Sequence, residues 1–293
     1  MNENSSNKTI LEALPEDYTF NLSDFALFLS VMKNKTAYEN TLSIILDEPD
    51  LRLKEVKVEQ VVLNKSGKRA IRLDAWARDE QNRHINTEMQ NDAKQANLRK
   101  RSRFYQGLLD TPVLKSGKKT KYKHLPSTII IFITRDDIFR CDSAMYTFTE
   151  QCEEVPGLHL DDGTKKIFLN MTSRNGRPEL ISLLQYMKNT TLDNPEIIVN
   201  DKRIQSLDKI VNEVKQSEEW EAVKMNILEI GIEKGKAASI LELLEETGKV
   251  SEQLKQKILA QHDSETLSKW LKLAAKAESI EEFERRIAPD KAT

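Results

Sequence analysis

The chain has 293 residues, of which 31% are charged, and a net charge of −2. That is long enough for a sizeable core plus an appendage, and it leaves no global field to select a polyanion or an anionic membrane, so charge must be read locally. The densest apolar run, residues 129–133, is far too short to cross a bilayer, and MNENSSNKTI lacks the basic-then-apolar pattern of a secretory signal. Cys141 and Cys152 have no metal-site spacing and read as reduced thiols of a cytoplasmic protein.

Residues 1–20 are polar and read as a loose, flexible segment. Phe25, Leu27, Phe28, Leu29, Val31 and Met32 then predict a short apolar helix with Ser23 or Asp24 as N-cap. A second helix over 36–46 carries Ala37, Thr41, Ile44 and Ile45 at helical spacing, and Pro49 stops it. Residues 56–63 read as a strand, joined through Asn64-Lys65-Ser66-Gly67-Lys68 to a second one.

That second strand alternates Ile71, Leu73, Ala75 and Ala77 with Arg72, Asp74, Trp76 and Arg78. After the loop Asp79-Glu80-Gln81-Asn82-Arg83, a third strand sets Ile85, Thr87 and Met89 against His84, Asn86, Glu88 and Gln90, which predicts a hairpin. Pairing Arg78 with His84 places Trp76 opposite Asn86, Asp74 opposite Glu88 and Arg72 opposite Gln90. Like charges directly opposite on one face repel. A divalent cation between the carboxylates, a raised pKa on one acid, a clamp from Arg72 or Arg78, or a register slip of two would each relieve that repulsion. Asp79 and Glu80 read as solvated loop residues.

A helix follows over about 92–110, and STIIIFIT (127–134) reads as a central strand buried on both faces. Residues 145–150 and 166–170 form a strand pair at one edge, and 178–189 a helix. Beyond about 200 strand formers vanish, and charged helices are expected over roughly 201–246, 251–261, 264–277 and 279–287. Gly231 and Gly235 read as a hinge rather than a close helix crossing. Trp270, Leu271, Leu273 and Ala274 form an apolar face that needs a cover, either a helical module or an oligomer contact.

Between Lys94 and Lys123 there are ten Lys or Arg residues and one acid, Asp110. Arg99, Lys100, Arg101 and Arg103, with Phe104 and Tyr105 among them, suit contact with a phosphate backbone. A solvated helix face is the alternative. Trp76 and Tyr105 read as packing residues rather than base-stacking platforms, and His84 as a strand-end histidine. Together the acidic pair and the basic helix suggest metal-assisted phosphodiester hydrolysis, with Asp74, Glu88 and the Met89 carbonyl holding Mg²⁺ or Mn²⁺ and Gln90 orienting water.

Asp74, then Glu88-Met89-Gln90 closing the next strand, then KRSRFY in the helix after it, resemble the PD-(D/E)XK nuclease superfamily and, within it, the recombination-promoting nuclease (Rpn) and transposase group. YKHLPSTIIIFIT, EIGIEKG and KWLKLAAKAESIEEF extend the resemblance over nearly the whole chain. It implies an α/β restriction-endonuclease-like core, a mixed sheet flanked by helices, over 21–200, with an all-α C-terminal region over 201–293. It also implies metal-dependent DNA cleavage linked to recombination, mobile elements or phage defence in bacteria. Asp74 and Glu88 would be metal ligands, and Gln90 would stand where the superfamily has lysine. Lys100 or Arg101 could supply the missing charge, and Glu39 on an early helix could add an acid. A homodimer is expected, since cutting both strands needs two sites, with no small-molecule organic cofactor. A catalytically weak DNA-binding or assembly protein that retains the fold is the alternative reading.

Overall fold

The strand-forming segments become one six-stranded sheet. The computed structural model describes residues 18–62, 71–91, 97–113 and 121–288. The N-terminal segment, the loop at Lys65 and the lysines Lys94, Lys115, Lys118 and Lys119 therefore lie outside the described residues.

Strands β1 (Leu53–Val62), β2 (Ile71–Asp79) and β3 (His84–Gln90) run antiparallel in sequence order. β4 (Thr128–Thr134) lies parallel to β3, β6 (Thr164–Asn170) parallel to β4, and β5 (Met145–Phe148) closes the edge antiparallel to β6. A parallel neighbour needs a crossover, and the segment between β3 and β4 supplies it with α3 (Leu98–Asp110). All seven residues of β4 are buried, as a continuous β-branched run in a covered central strand requires.

α1 (Phe25–Met32) and α2 (Lys35–Leu46) pack on β1, and Tyr38 of α2 reaches Ala75 and Thr87 from that side. Asn34 caps α2 by accepting from the Ala37 N–H at 3.2 Å. The opposite face, which bears Trp76, Ile130, Phe132 and Phe168, packs with Leu98, Tyr105, Leu108 and Leu109 of α3. Asn86 and Glu88 are in register with Ile130 and Phe132 and so share that second face. α4 (Pro178–Lys188) adds eight consecutive buried residues from Leu180 to Met187.

The predicted 201–246 helix is two helices, α5 (Lys202–Lys215) and α6 (Glu218–Thr247), with the break at Gln216-Ser217. α5 buries Ile204, Leu207, Ile210 and Val211 and packs on α2, so the first compact unit runs from Phe20 to Ser217, past the change in composition near residue 200. The other unit contains α6, α7 (Glu252–Leu259), α8 (Ser264–Ala274) and α9 (Ile280–Arg286). Its core joins Ile240, Leu244, Leu254, Ile258, Leu267 and Phe283, with Trp270, Leu271 and Leu273 packed against it. That core covers the expected apolar face, and α6 runs unbroken through Gly231 and Gly235, which is not the predicted hinge.

Asp79, expected to be solvated, is fully buried. It accepts from the Arg83 backbone N–H at 2.7 Å and from Arg83 Nε at 2.5 Å. The Arg83 fork also pairs with Glu48 just before β1. Both cysteines are free thiols, Cys141 exposed. Among the described residues no helix is long and apolar enough to cross a membrane.

Candidate active site

The hairpin register holds as far as Ala75 opposite Thr87 and ends there. One step on, side chains take over from the ladder: the Met89 N–H donates to Asp74 Oδ2 at 3.1 Å, and the Asp74 N–H donates to Glu88 Oε1 at 3.1 Å. On the other flank of Asp74, between the pairs Val58 with Ala75 and Gln60 with Leu73, Glu59 takes a left-handed φ of 51°. Asp74 therefore sits where its strand departs from regular pairing on both sides, and such irregularities re-aim side chains. Tyr38 fixes the last regular rung. Its hydroxyl lies 2.9 Å from both the Ala75 carbonyl oxygen and Thr87 Oγ1. Spacing alone does not single out Tyr38.

Both carboxylates are buried, Asp74 at 7% exposure and Glu88 at 0%. Burial first, and then the Glu88 charge, hold the Asp74 carboxyl well above the usual carboxylate range; burial likewise raises Glu88, against the pull of Arg101. Asn86 donates to Glu88 Oε1 at 3.0 Å, while its own Oδ1 is buried without a hydrogen-bond partner among the described residues. His84 packs edge-on against Trp76 with ring centroids 5.3 Å apart, as a strand-end histidine would.

Of the two arginines expected of the hairpin, Arg72 acts on Asp74 only through its charge, and less than Arg101 does. Arg72 lies 3.5 Å from Glu59 and Arg78 lies 3.1 Å from Glu55, both acids on β1. Arg101 is the clamp instead: Nη2 donates to Glu88 Oε2 at 2.7 Å, and Nη1 to Gln90 Oε1 at 2.8 Å. Its Nε donates to the Tyr105 hydroxyl at 2.8 Å, so Tyr105 serves both the α3 core and the site. Arg101 therefore faces inward, unlike the other three basic residues of this helix. Arg99, Lys100 and Arg103 are exposed on α3 beside Phe104, which is 39% exposed. Arg99 is steered by the Phe139 ring 4.6 Å away and by the Ile138 carbonyl. Glu39 is not brought to the pair; it accepts from the Leu53 N–H at 2.7 Å, at the start of β1.

Among the described residues no cluster of three or more His, Cys, Asp or Glu side chains forms. The donors on offer are hard oxygens: two carboxylates, the Met89 carbonyl and the Gln90 amide. That set suits Mg²⁺ or Mn²⁺, which bind through one or two carboxylates and keep several waters. Two carboxyl groups share the Arg101 guanidinium in a buried place, and Asp74 Oδ1 has no hydrogen-bond donor among the described residues, so a cation fits the site.

No curated protein and no solved structure matches the chain. A family model described as PD-(D/E)XK nuclease family transposase matches residues 15–227. That span contains every strand of the sheet, the carboxylate pair and α3. The chain belongs to the PD-(D/E)XK nuclease family transposases.

Proposed function

We propose that the protein is a divalent-metal-dependent DNA endonuclease that hydrolyses phosphodiester bonds. The observation that carries this reading is the pair Asp74 and Glu88, buried together at a break in sheet pairing, beneath a helix that exposes Arg99, Lys100 and Arg103 on its outer side. Asp74, Glu88 and the Met89 carbonyl would hold Mg²⁺ or Mn²⁺. When bound, such a cation supplies Lewis acidity toward water and toward the phosphoryl oxygens.

The chain's own residues do the rest. Asn86 and Arg101 fix the Glu88 carboxylate from both of its oxygens, and the Met89 N–H fixes Asp74, so the acids are held in place before any substrate arrives. Gln90, pinned by Arg101 through its amide oxygen, is set to orient the attacking water. The exposed α3 cations take up backbone phosphates and give affinity without sequence selection. In the reaction the water oxygen forms a bond to phosphorus as the bond to one strand end breaks. One proton leaves the water and the departing oxygen takes one up. A homodimer would place two such sites on a duplex, and the family's transposase description suits a role in DNA recombination or mobile elements.

The test is calorimetric titration with Mn²⁺ of the wild type and Asp74→Ala, followed by a supercoiled-plasmid nicking assay on the same samples. Saturable binding and nicking that both vanish in the variant are expected. Nicking that survives in Asp74→Ala removes the hairpin from the chemistry. Plasmid binding without metal uptake or cleavage in the wild type establishes the second reading, a DNA-binding protein that retains the fold.

A further inference from the structure

Arg101 is held more tightly than charge neutralisation requires. Its guanidinium lies 4.9 Å from the centroid of the Tyr105 ring and 5.6 Å from that of Phe132, the β4 residue in register with Glu88. It contacts Glu88, Gln90 and the Tyr105 hydroxyl, the last through both Nε and Nη2. An arginine so fixed has already lost the rotamer freedom that a flexible cation would lose on meeting a ligand.

Of the five N–H groups of a guanidinium, four are accounted for by these contacts, and the second hydrogen of Nη1 has no acceptor among the described residues. The side chain remains 21% exposed. Gln90, its neighbour, is neutral and can bring no charge to a phosphoryl group. Among the described residues, Arg101 is also the one cation within ion-pairing distance of either carboxylate.

We propose that Arg101 is a catalytic residue of the hydrolysis proposed above, donating from Nη1 to a non-bridging oxygen of the scissile phosphate and supplying the positive charge that Gln90 lacks. The assignment rests on the nuclease reading. A preorganised cation aimed at developing phosphoryl charge acts without reorganising during the step, and Arg101 keeps its proton throughout.

The experiment compares wild type, Arg101→Gln and Arg101→Ala by thermal unfolding, Mn²⁺ calorimetry and single-turnover nicking at saturating plasmid. Both variants are expected to bind Mn²⁺ as tightly as the wild type or more tightly, because a positive neighbour has been removed, while nicking falls about 100-fold. Millimolar guanidinium is expected to restore part of the Arg101→Ala rate. Where Arg101→Ala does not fold, Arg101→Gln, which retains a donor toward Glu88, carries the comparison. A wild-type rate in a folded variant overturns the assignment. So does loss of Mn²⁺ binding in a folded variant, which would make Arg101 a support for Glu88 alone. A wild type that neither binds Mn²⁺ nor nicks sinks the nuclease reading itself, and this assignment with it; an active wild type with an active Arg101→Gln sinks only Arg101.

Discussion

Replacing Asp74 by Asn is expected to stabilise the protein in the absence of metal. Asp74 and Glu88 are buried together with one guanidinium between two negative charges. At roughly 5 Å and an effective dielectric of about 20, two like charges repel by about 3 kcal/mol. Against that gain stand the lost attraction of Arg101 for Asp74 and a weaker Met89 N–H bond to a neutral amide oxygen, together about 1–2 kcal/mol. The net expectation is a stabilisation of about 1–2 kcal/mol where wild-type Asp74 is ionised, or a rise in Tm of about 4 °C for a unit the size of residues 20–217. The sign with pH follows from the raised Asp74 carboxyl. A folded pKa above the unfolded one means that stability falls as pH rises from the ordinary carboxylate range to the folded value. The advantage of the variant is therefore full above the folded value and disappears as pH falls to the ordinary range, where wild-type Asp74 is already protonated. Urea unfolding of both proteins from pH 4 to pH 8 in EDTA measures it, and Mn²⁺ at 100 times its Kd should then add about 2.7 kcal/mol to the wild type alone. A gain that does not grow as pH rises would refute the argument from burial and repulsion.

Five other outcomes follow from the geometry. Tyr38→Phe removes the hydroxyl on the last regular rung and should cost about 1–3 kcal/mol in urea unfolding. Arg83→Met leaves Asp79 buried without its cation and should cost about 3 kcal/mol. Hydrogen bonding from Arg83 holds the Glu48 carboxyl below its ordinary value, so in the wild type this contribution is present above the unfolded carboxylate pKa and lost as pH falls through the folded one, a loss that Glu48→Gln should not show. Lys100→Ala and Arg103→Ala should each weaken DNA binding evenly across sequences and reduce the slope of log K against log salt by about 1, measured by fluorescence anisotropy. A chain ended at Ser217 should unfold cooperatively, whereas one ended at residue 205 loses Leu207, Ile210 and Val211 from the packing on α2 and should not.

The hairpin was legible because two period-two runs flank a short polar loop, and its register could be read as far as backbone pairing alone decides it. It ceased to be legible at Asp74 and Glu88, where carboxylates take over the hydrogen bonds of the ladder. Of the ways to relieve the repulsion, the structure shows a raised pKa on the acids and a clamp from Arg101, a residue outside the hairpin. Arg72 and Arg78 sit on the same strand face as Asp74, but each also has an acid partner on β1, Glu59 and Glu55, set between the valines of that strand. Arg101 is eleven residues beyond Gln90 across a crossover, and spacing alone does not tell which side of a helix will face the sheet. Asp79 looked solvated because its environment depends on Glu48, whose place beside the turn is set by packing. The stripe Ile204, Leu207 and Val211 in α5 was available at helical spacing, but the rise in charge density beyond residue 200 outweighed it.

The change of pairing at β3 accounts for where the acids and the basic helix gather. β3 is antiparallel to β2, so a short turn suffices to bring Asp74 beside Glu88. It is parallel to β4, so the chain leaving Gln90 must climb over one face of the sheet before returning. Glu88 lies on the face that α3 covers, because its register partner Phe132 packs in the same cluster as Tyr105. The first two turns of α3 then divide their basic residues between two tasks. Arg101, one helical turn before Tyr105, is drawn inward to the acids, and Lys100 and Arg103 on either side of it are left facing solvent. Buried acids, an inward cation and an outward basic face are thus consequences of a single strand with an antiparallel partner on one side and a parallel partner on the other. Extending the β2–β3 ladder by one rung would release Asp74 from Met89 and undo the donor set while leaving the sheet intact.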